Sequence, residues 1–366
     1  KSHMPLSKIV SIVNQKGGVG KTTTAINLSS ALGILEQRVL LIDADPQANA
    51  TTGLGVLTKT VENSIVNLYK RDKATLDCII ETHSPNLKII PGSIKLAQLA
   101  MNLENSNINR LKSALDEIKH LFDFIIIDCS PSIGYLTLNT LVASDAVIIP
   151  VQCDYFALKG LNRLLATIES VKTTYNSKLS IEGILVTMFD NRIRLHKQVV
   201  KDLKTYFKDL IFNTVIKRNI SLSEAPGYGF SVLSYNINSE GSTNYLNLSR
   251  EIIKNQMLMK TNFMPKKLPE IINDNNEDLI FTHKAKVRNL DAYRSYSTND
   301  KNYEKLKGLS KREVISHMGL MYNDLHSNIW MCRTTKKIKL LKKNYLYLYF
   351  DKNRVEKILT KRFKFS

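Results

Sequence analysis

The chain has 366 residues, 43% of them hydrophobic and 23% charged, which is enough for one large folded domain and a smaller one. It carries 52 Lys and Arg against 33 Asp and Glu, a formal net charge of +19 that favours an anionic partner such as nucleic acid or an acidic membrane surface. No run of about 18 apolar residues occurs, which excludes a membrane-spanning helix. The cysteines form no Cys-x-x-Cys pair and have no histidine at ligand spacing, so we expect reduced thiols in a cytoplasmic protein.

Short apolar runs alternate with longer helical patterns over about the first 255 residues. The predicted strands are Ile9–Asn14, Val39–Asp43, Leu87–Pro91, Phe124–Asp128, Ala146–Val151 and Glu182–Met188. Most are continuously apolar, as expected for parallel strands covered on both faces. Helices such as Lys21–Leu35 and Asn107–His120 are predicted between them. This order predicts an α/β fold with a doubly wound, mostly parallel sheet, helices on both faces and ligands at the carboxyl ends of its strands.

The segment KGGVGKT runs from the first predicted strand into the first predicted helix. Its glycines let backbone N–H groups approach phosphates, and the positive end of the following helix faces the same anion. Lys21 is placed to reach the β- and γ-phosphates, and Thr22 to ligate Mg²⁺. The sequence therefore predicts a P-loop NTPase. Its expected nucleotide-binding residues are Gly17, Gly18, Val19, Gly20, Lys21, Thr22 and Thr23.

Lys16 stands at the start of this loop, where an NTPase with a single independent site has no need of a lysine. One explanation is that it stabilises charge across a subunit interface, as an arginine finger supplied in trans does; the other is a lysine that balances a nearby carboxylate. KGGVGKT resembles the deviant Walker A motif of the ParA/MinD family of dimerising ATPases. The resemblance implies that ATP and Mg²⁺ are the ligands and that Lys16 contacts the nucleotide of the partner subunit.

Three aspartates lie at or just beyond the carboxyl ends of predicted strands and are expected to complete the site. Asp43 and Asp45 lie in VLLIDADPQANATTGLG, which resembles the DxDPQxN segment of the partition ATPases and implies that Asp45 orients the hydrolytic water. Asp43 is expected to be an Mg²⁺-side or structural partner. Asp128 ends the apolar run of FDFIIIDCSPS in a Walker B pattern, where a carboxylate holds Mg²⁺ through water. The alternative is that Asp43 and Asp45 only cap a strand end.

Two further segments narrow the resemblance to one branch of the family. EGILVTMFDNRIRLHKQVVKDLKTYF and FNTVIKRNISLSEAPGYGFSVLSYNINSEGSTNYLNLSREI closely match the chromosomal partition ATPases (ParA/Soj), with a resemblance that covers residues 8–255. It implies an ATP-sandwich homodimer that binds DNA without sequence preference, and a ParB-type centromere-binding protein that stimulates hydrolysis and release. We therefore expect a cytoplasmic, nucleoid-associated protein.

Binding DNA without sequence preference requires cations directed at phosphates. The candidates are Arg192, Arg194 and Lys197, which follow a strand and open a helix, and Lys217 and Arg218, which precede the NISLSEAP loop. Arg192 matches a DNA-contacting arginine of the family. Ser221 stands where the family often has a basic residue, and Lys217 where proline is usual. A solvated basic face is the other interpretation.

Two other functions are compatible with parts of the sequence. A MinD-like ATPase that cycles on membranes needs an amphipathic helix, and YLNLSREIIKNQMLMK has some of that character, although we favour a helix packed on the sheet. A nucleotide-binding scaffold without turnover is disfavoured by Asp45 and Lys16. We expect no stable membrane association.

The last hundred or so residues differ in composition, being rich in Lys, Asn and Tyr. We interpret residues 1–4 as an expression remnant, 5–258 as the ParA-type P-loop ATPase domain, 259–280 as a linker and 281–366 as a small basic α+β module of unknown role. A capping box at Ser310 and Glu313 predicts a short helix that Gly319 ends, followed by strand-like NIWMCRT and YLYLYF and a DKNR turn. This order is similar to the BamE/SmpA-type domain of lipoproteins, although no signal peptide is evident. A phosphate-binding basic tail and a solvated Lys-rich surface are the other interpretations.

Overall fold

The computed structural model describes residues 7–102, 107–132, 134–154, 157–258, 307–308, 329–333, 342–351 and 354–364. The chain divides into two units, Lys1–Glu277 and Asp278–Ser366, which are described separately. The predicted linker and the predicted helix at Ser310 lie outside the described residues.

A seven-stranded sheet organises the first unit, in the order β3-β4-β2-β5-β1-β6-β7. Every neighbouring pair is parallel except β3 and β4, which are antiparallel. The strands are β1 Lys8–Ile12, β2 Val39–Ala44, β3 Ile80–Glu81, β4 Leu87–Ile90, β5 Phe124–Cys129, β6 Ala146–Gln152 and β7 Ser180–Thr187. Since β1 lies between β5 and β6, the chain crosses from one side of β1 to the other, the arrangement in which α/β sheets bind ligands.

Helices connect the strands and cover the sheet. They are α1 Lys21–Ile34, α2 Asn49–Gly53, α3 Ile65–Lys70, α4 Lys95–Asn102, α5 Arg110–Ile118, α6 Tyr135–Ala143, α7 Ala157–Thr174, α8 Arg194–Phe207, α9 Ile220–Glu224, α10 Val232–Tyr235 and α11 Glu240–Met257. No helix among the described residues is long and apolar enough to cross a bilayer.

The sheet separates two hydrophobic cores, and successive residues of each strand alternate between them. On β5, Ile125 and Ile127 pack with the core that includes α5, α6 and α7. Phe124 and Ile126 pack with the other, which includes α1 and α11. This two-sided burial explains why the strands are continuously apolar in sequence, and it confirms the predicted doubly wound, mostly parallel sheet.

The predicted strands agree with the observed ones to within two residues, with two informative differences. Val13 and Asn14 lie outside β1 and belong to the loop that follows it, although the Val13 N–H still donates to the Ile148 carbonyl at 3.0 Å. The two-residue strand β3 was not predicted, because it has no apolar run of its own and is defined by its pairing with β4.

The described part of the second unit contains a three-stranded antiparallel sheet in the order β10-β9-β8. Its strands are β8 Ile329–Arg333, β9 Lys342–Asp351 and β10 Arg354–Lys364. Strand β8 lies within the predicted strand-like run NIWMCRT, and strand β9 includes the predicted run YLYLYF. The two central residues of the predicted DKNR turn lie outside the described residues. Strand β10 was not predicted, because its many lysines and arginines obscure any apolar pattern.

Candidate functional site: a phosphate loop between two buried carboxylates and a surface ion pair

The loop between β1 and α1 has the backbone conformation that a phosphate cradle requires. Gly18 and Gly20 have φ angles of +72° and +89°, in the left-handed region that favours glycine. Apart from the adjoining residues, a Cβ at Gly17 or Gly18 would meet no atom of the described residues within 4 Å, so the backbone there is open to a close approach. Gly20 caps the N-terminus of α1, whose positive end therefore opens onto the loop.

Neighbouring strands hold this loop in place through side-chain hydrogen bonds. The Thr187 hydroxyl at the end of β7 donates to the Val19 carbonyl at 2.8 Å. The Asn14 amide donates to the Pro150 carbonyl in β6 at 2.7 Å, and its oxygen accepts from the Lys16 N–H at 3.0 Å. Sequence reasoning missed Asn14 and Thr187, since nothing in their spacing indicates which loop they contact.

Lys21 is the buried cation of the loop, with only 7% of its surface exposed. Its Nζ donates to the Lys16 carbonyl at 2.9 Å. Burial lowers the pKa of Lys21, an effect that the carboxylates of Asp128 and Asp45 oppose. The predicted phosphate-binding lysine and two of the predicted carboxylates therefore lie in one electrostatic environment.

Lys16 instead points to the surface and forms an ion pair with Asp154, just beyond β6. Pairing with a nearby carboxylate is one of the two roles considered for Lys16 from the sequence. Asp154 was not among the predicted site residues, because 138 residues separate it from Lys16.

Asp43 and Asp128 occupy paired positions on the adjacent strands β2 and β5. Both are fully buried, and burial raises the pKa of each. The Asp43 carboxylate accepts hydrogen bonds from the N–H and hydroxyl of Thr51, at 2.8 and 2.6 Å, and from the Asp45 N–H at 3.3 Å. These contacts favour the structural role considered for Asp43.

Asp128 differs from Asp43 because neither of its oxygens completes a hydrogen bond within the described part of the chain. The Thr22 hydroxyl and the Lys21 ammonium are near enough to favour its charged form. An isolated buried carboxylate is costly unless it is paired or ligates a cation. A carboxylate and a hydroxyl are oxygen donors of the kind that Mg²⁺ prefers, and Mg²⁺ sites usually take one or two carboxylates together with water and phosphate oxygens. Asp128 and Thr22 therefore fit Mg²⁺.

Asp45 lies where β2 turns toward α2. It is 7% exposed, and its carboxylate accepts from the Gln47 N–H at 3.0 Å. A pocket of about 340 Å³ lies beside the loop; its lining comes from α1, α2 and the turn after α9 and consists of Thr22, Thr23, Ile26, Asn49, Thr52, Gly53, Pro226 and Gly227. The predicted nucleotide residues Thr22 and Thr23 thus face a cleft as well as the loop.

The predicted DNA-binding residues come together at one edge of the first unit. The Arg218 N–H donates to the Phe189 carbonyl at 3.0 Å, which brings the segment of Lys217 and Arg218 beside the one that leads to Arg192. Arg192 forms a two-fold ion pair with Asp190 at 2.7 and 2.9 Å, and Lys217 pairs with Glu240.

Arg194 and Lys197 begin an exposed basic stripe along α8. Exposed cations recur at intervals of three and four residues, which places them on one side of the helix; they are Arg194, Lys197, Lys201, Lys204 and, directly after the helix, Lys208. The opposite side carries the buried Val199, Leu203 and Phe207. The last three cations were not predicted from the sequence, although their spacing of three and four residues indicates that they share one side of a helix.

Comparison with known proteins agrees with this geometry. The family model of the AAA domain matches residues 7–181. The sporulation initiation inhibitor protein Soj of Bacillus subtilis is 47% identical over 252 residues, which is 68% of this chain and 100% of that protein. The chromosome partitioning protein ParA of Myxococcus xanthus is 43% identical over 251 residues, 68% of this chain and 89% of that protein.

Among solved structures, cobyrinic acid a,c-diamide synthase from Mycobacterium smegmatis, with bound ADP and magnesium, is 29% identical with a TM-score of 0.62. The likeness covers 71% of this chain and 100% of that one. The same synthase has been solved with an ATP analogue and magnesium. Taken with the phosphate loop and the buried carboxylates, the Soj and ParA relatives establish that this chain belongs to the ParA/Soj family of chromosome-partitioning ATPases.

Proposed function

We propose that this protein hydrolyses ATP with Mg²⁺ and thereby switches between a monomer and an ATP-sandwich homodimer that binds DNA without sequence preference. The observation that carries the proposal is the phosphate loop with its surroundings, where open glycines, a buried lysine and a buried carboxylate that completes no hydrogen bond within the described residues meet at the carboxyl ends of β1, β2 and β5. Those features match the needs of a Mg²⁺-nucleoside triphosphate, and the family supplies adenine as the base.

Catalysis in this site rests on positioning and electrostatics. The loop N–H groups of residues 17–23 bind the phosphates, and Lys21 gives up its hydrogen bond to the Lys16 carbonyl in order to neutralise the β- and γ-phosphates. Thr22 and Asp128 would hold Mg²⁺, which when bound would offset the negative charge of the phosphates. Asp45 orients the attacking water, while Asp43 and Thr51 fix the turn that carries Asp45.

Lys16 supplies the coupling between nucleotide and dimer in this proposal. A lysine at the outer end of the loop is close to half exposed, so it can extend toward the phosphates of a facing subunit. An ammonium delivered in this way makes the paired state depend on the γ-phosphate. Lys16→Ala should therefore retain ATP binding as a monomer and lose ATP-dependent dimerisation, measured by sedimentation velocity. A variant that dimerises like the wild-type chain would contradict the role of Lys16.

The basic edge of the first unit supports DNA as the anionic partner. The stripe on α8 spans about 20 Å of helix at 1.5 Å per residue, and Arg192 lies two residues before the helix begins. Such a surface contacts several phosphates without reading bases. We further propose a cytoplasmic, nucleoid-associated protein whose hydrolysis and release are stimulated by a ParB-type centromere-binding protein, as the family membership suggests.

A MinD-like membrane cycle is less well supported. The apolar side of α11 that could enter a membrane carries Tyr245, Leu248 and Ile252, and all three are buried. The Tyr245 and Thr24 hydroxyls are 3.1 Å apart, which ties α11 to α1. The second unit has no assigned role in this proposal.

The deciding experiment measures binding to a random-sequence duplex with Mg²⁺-ATP, Mg²⁺-ADP and no nucleotide. The full chain is compared with a chain stopped after Leu258, a length close to the 252 matched residues that make up the whole of the Bacillus subtilis relative. Binding that requires ATP in both forms supports the proposal. DNA binding that does not depend on nucleotide, and that is lost when the second unit is removed, would contradict it. Such a result would assign the DNA contact to the basic C-terminal residues.

A further inference from the structure

We infer that Asp154 is the resting partner of Lys16, holding that lysine within its own subunit and setting how readily ATP-loaded chains pair. The inference rests on the proposed function, in which Lys16 reaches the nucleotide of a second copy of this chain. It assigns a regulatory role to a carboxylate outside the nucleotide site.

The two partners of this ion pair differ in exposure. The Lys16 side chain is 48% exposed, whereas that of Asp154 is 29% exposed. The carboxylate is therefore the recessed partner, and the ammonium on its flexible stem is the one free to swing away toward solvent or a facing surface.

The ion pair is not what holds the two segments together. Asn14 already links them, because its side chain accepts from the Lys16 N–H and donates to the Pro150 carbonyl of β6. The Asp154 N–H donates to the Gln152 carbonyl at 2.9 Å, which fixes the turn after β6. Loss of the Asp154 charge should therefore free the Lys16 side chain and leave the backbone of the loop unchanged.

A single ammonium cannot remain against Asp154 and also extend across a dimer interface. Asp154 therefore competes with the phosphates of the partner subunit for Lys16, and each chain must break its own pair before the dimer closes. Breaking a half-exposed ion pair of this kind in one protomer raises the dissociation constant of the dimer by roughly 1.5- to 5-fold. A symmetric dimer breaks two such pairs, so the total effect on its dissociation constant is roughly 2- to 30-fold.

The test is Asp154→Asn in the full chain, which keeps the shape of the side chain and removes its charge. Dimerisation is measured by sedimentation velocity over a range of protein concentrations, with Mg²⁺ and a non-hydrolysable ATP analogue. We expect a dissociation constant roughly 2- to 30-fold lower than that of the wild-type chain. The matched control is Asp116→Asn, which removes the same charge from an exposed pair with Lys119 on another part of the surface and should change nothing.

A double-mutant cycle shows whether the gain acts through Lys16. In a Lys16→Gln background, Asp154→Asn should give no tightening. Asp154→Ser serves as a second variant if thermal melts show that the asparagine form is misfolded. A gain in affinity is also a readout that simple loss of a structural contact would not produce.

An unchanged or weaker dimer in Asp154→Asn, beside a wild-type chain that dimerises with the analogue, overturns this inference alone. The weaker dimer would mean that Asp154 supports Lys16 in the paired state. If neither chain dimerises at any concentration, the proposed function fails together with the inference. Dimerisation of Asp154→Asn under conditions where the wild-type chain stays monomeric would support both.

Discussion

The contact between Gly55 and Gly229 offers a direct test of how the nucleotide side of the fold is built. Gly55 follows α2, and Gly229 ends the 3₁₀ turn Ala225–Tyr228 that borders the pocket beside the phosphate loop. A Cβ added at Gly229 would lie 2.7 Å from the Gly55 Cα and 3.1 Å from its nitrogen. Both are backbone atoms that cannot rotate away, so Gly229→Ala should force the turn and α2 apart.

Two costs add in this variant. Gly229 has a φ angle of +76°, and placing an L-residue in the left-handed region costs about 1–2 kcal/mol. Overpacking against fixed neighbours costs a further 1–3 kcal/mol or so, about 2–5 kcal/mol in all. At about 2–4 °C per kcal/mol for a domain of this size, the melting temperature should fall by roughly 4–20 °C.

The assay is a thermal melt of the full chain followed by far-UV circular dichroism. Tryptophan fluorescence is unsuitable, because the single tryptophan, Trp330, belongs to the second unit. Gly227→Ala is the matched control: apart from the adjoining residues, its Cβ would meet no atom of the part of the chain that the structure describes within 4 Å, and its φ angle lies outside the left-handed region. If Gly229→Ala has the same melting temperature as Gly227→Ala, the steric reasoning is wrong.

Three further outcomes are expected. Thr51→Val removes a hydroxyl donor from the buried Asp43 carboxylate and should lower the free energy of unfolding by about 1.5–3 kcal/mol. Because burial raises the pKa of Asp43 to about 6, this loss of stability should be full at pH 8 and smaller at pH 5, where Asp43 is protonated. Urea unfolding at the two pH values measures the difference. Asp45→Ala should slow phosphate release at least 100-fold while ATP-bound dimers accumulate, and unchanged turnover would reassign this carboxylate. Arg192→Glu should weaken DNA binding to every sequence and flatten its salt dependence, whereas Arg38→Glu, which breaks a similar surface pair, should not.

The parts of this fold that were predictable depend on periodicity and on strand order. Continuous apolar runs identified six of the seven strands of the main sheet, because parallel strands buried on both faces have no polar side. The aspartates at the ends of β2 and β5 could be placed together for the same reason, since the carboxyl ends of parallel strands share one edge. Strand β3 escaped because pairing with a neighbour, and not its own two residues, defines it.

The side-chain contacts that position the residues of the site could not be predicted from the sequence. The Thr187 hydroxyl reaches Val19 across 168 positions, and Asp154 reaches Lys16 across 138. Spacing along a chain predicts which element carries a residue, but not which distant loop its side chain meets. For this reason the sequence could raise two roles for Lys16 without ranking them by geometry, and it did not single out Asp154.

Side-chain contacts also matter at the proposed DNA surface, because a cation that is already in an ion pair contributes less to DNA binding than one that is not. Arg192 must give up a two-fold bond to Asp190 before it contacts a phosphate, so part of the gain is lost. Lys201 and its neighbours on the α8 stripe make no ion pair within the described part of the chain, so on binding a phosphate they lose only bound water. Counterion release scales with the phosphates neutralised, at a slope of about 0.9 per contact. We therefore expect Lys201→Glu to reduce the salt dependence of duplex binding at least as much as Arg192→Glu does; a reduction confined to Arg192→Glu would place the DNA away from α8.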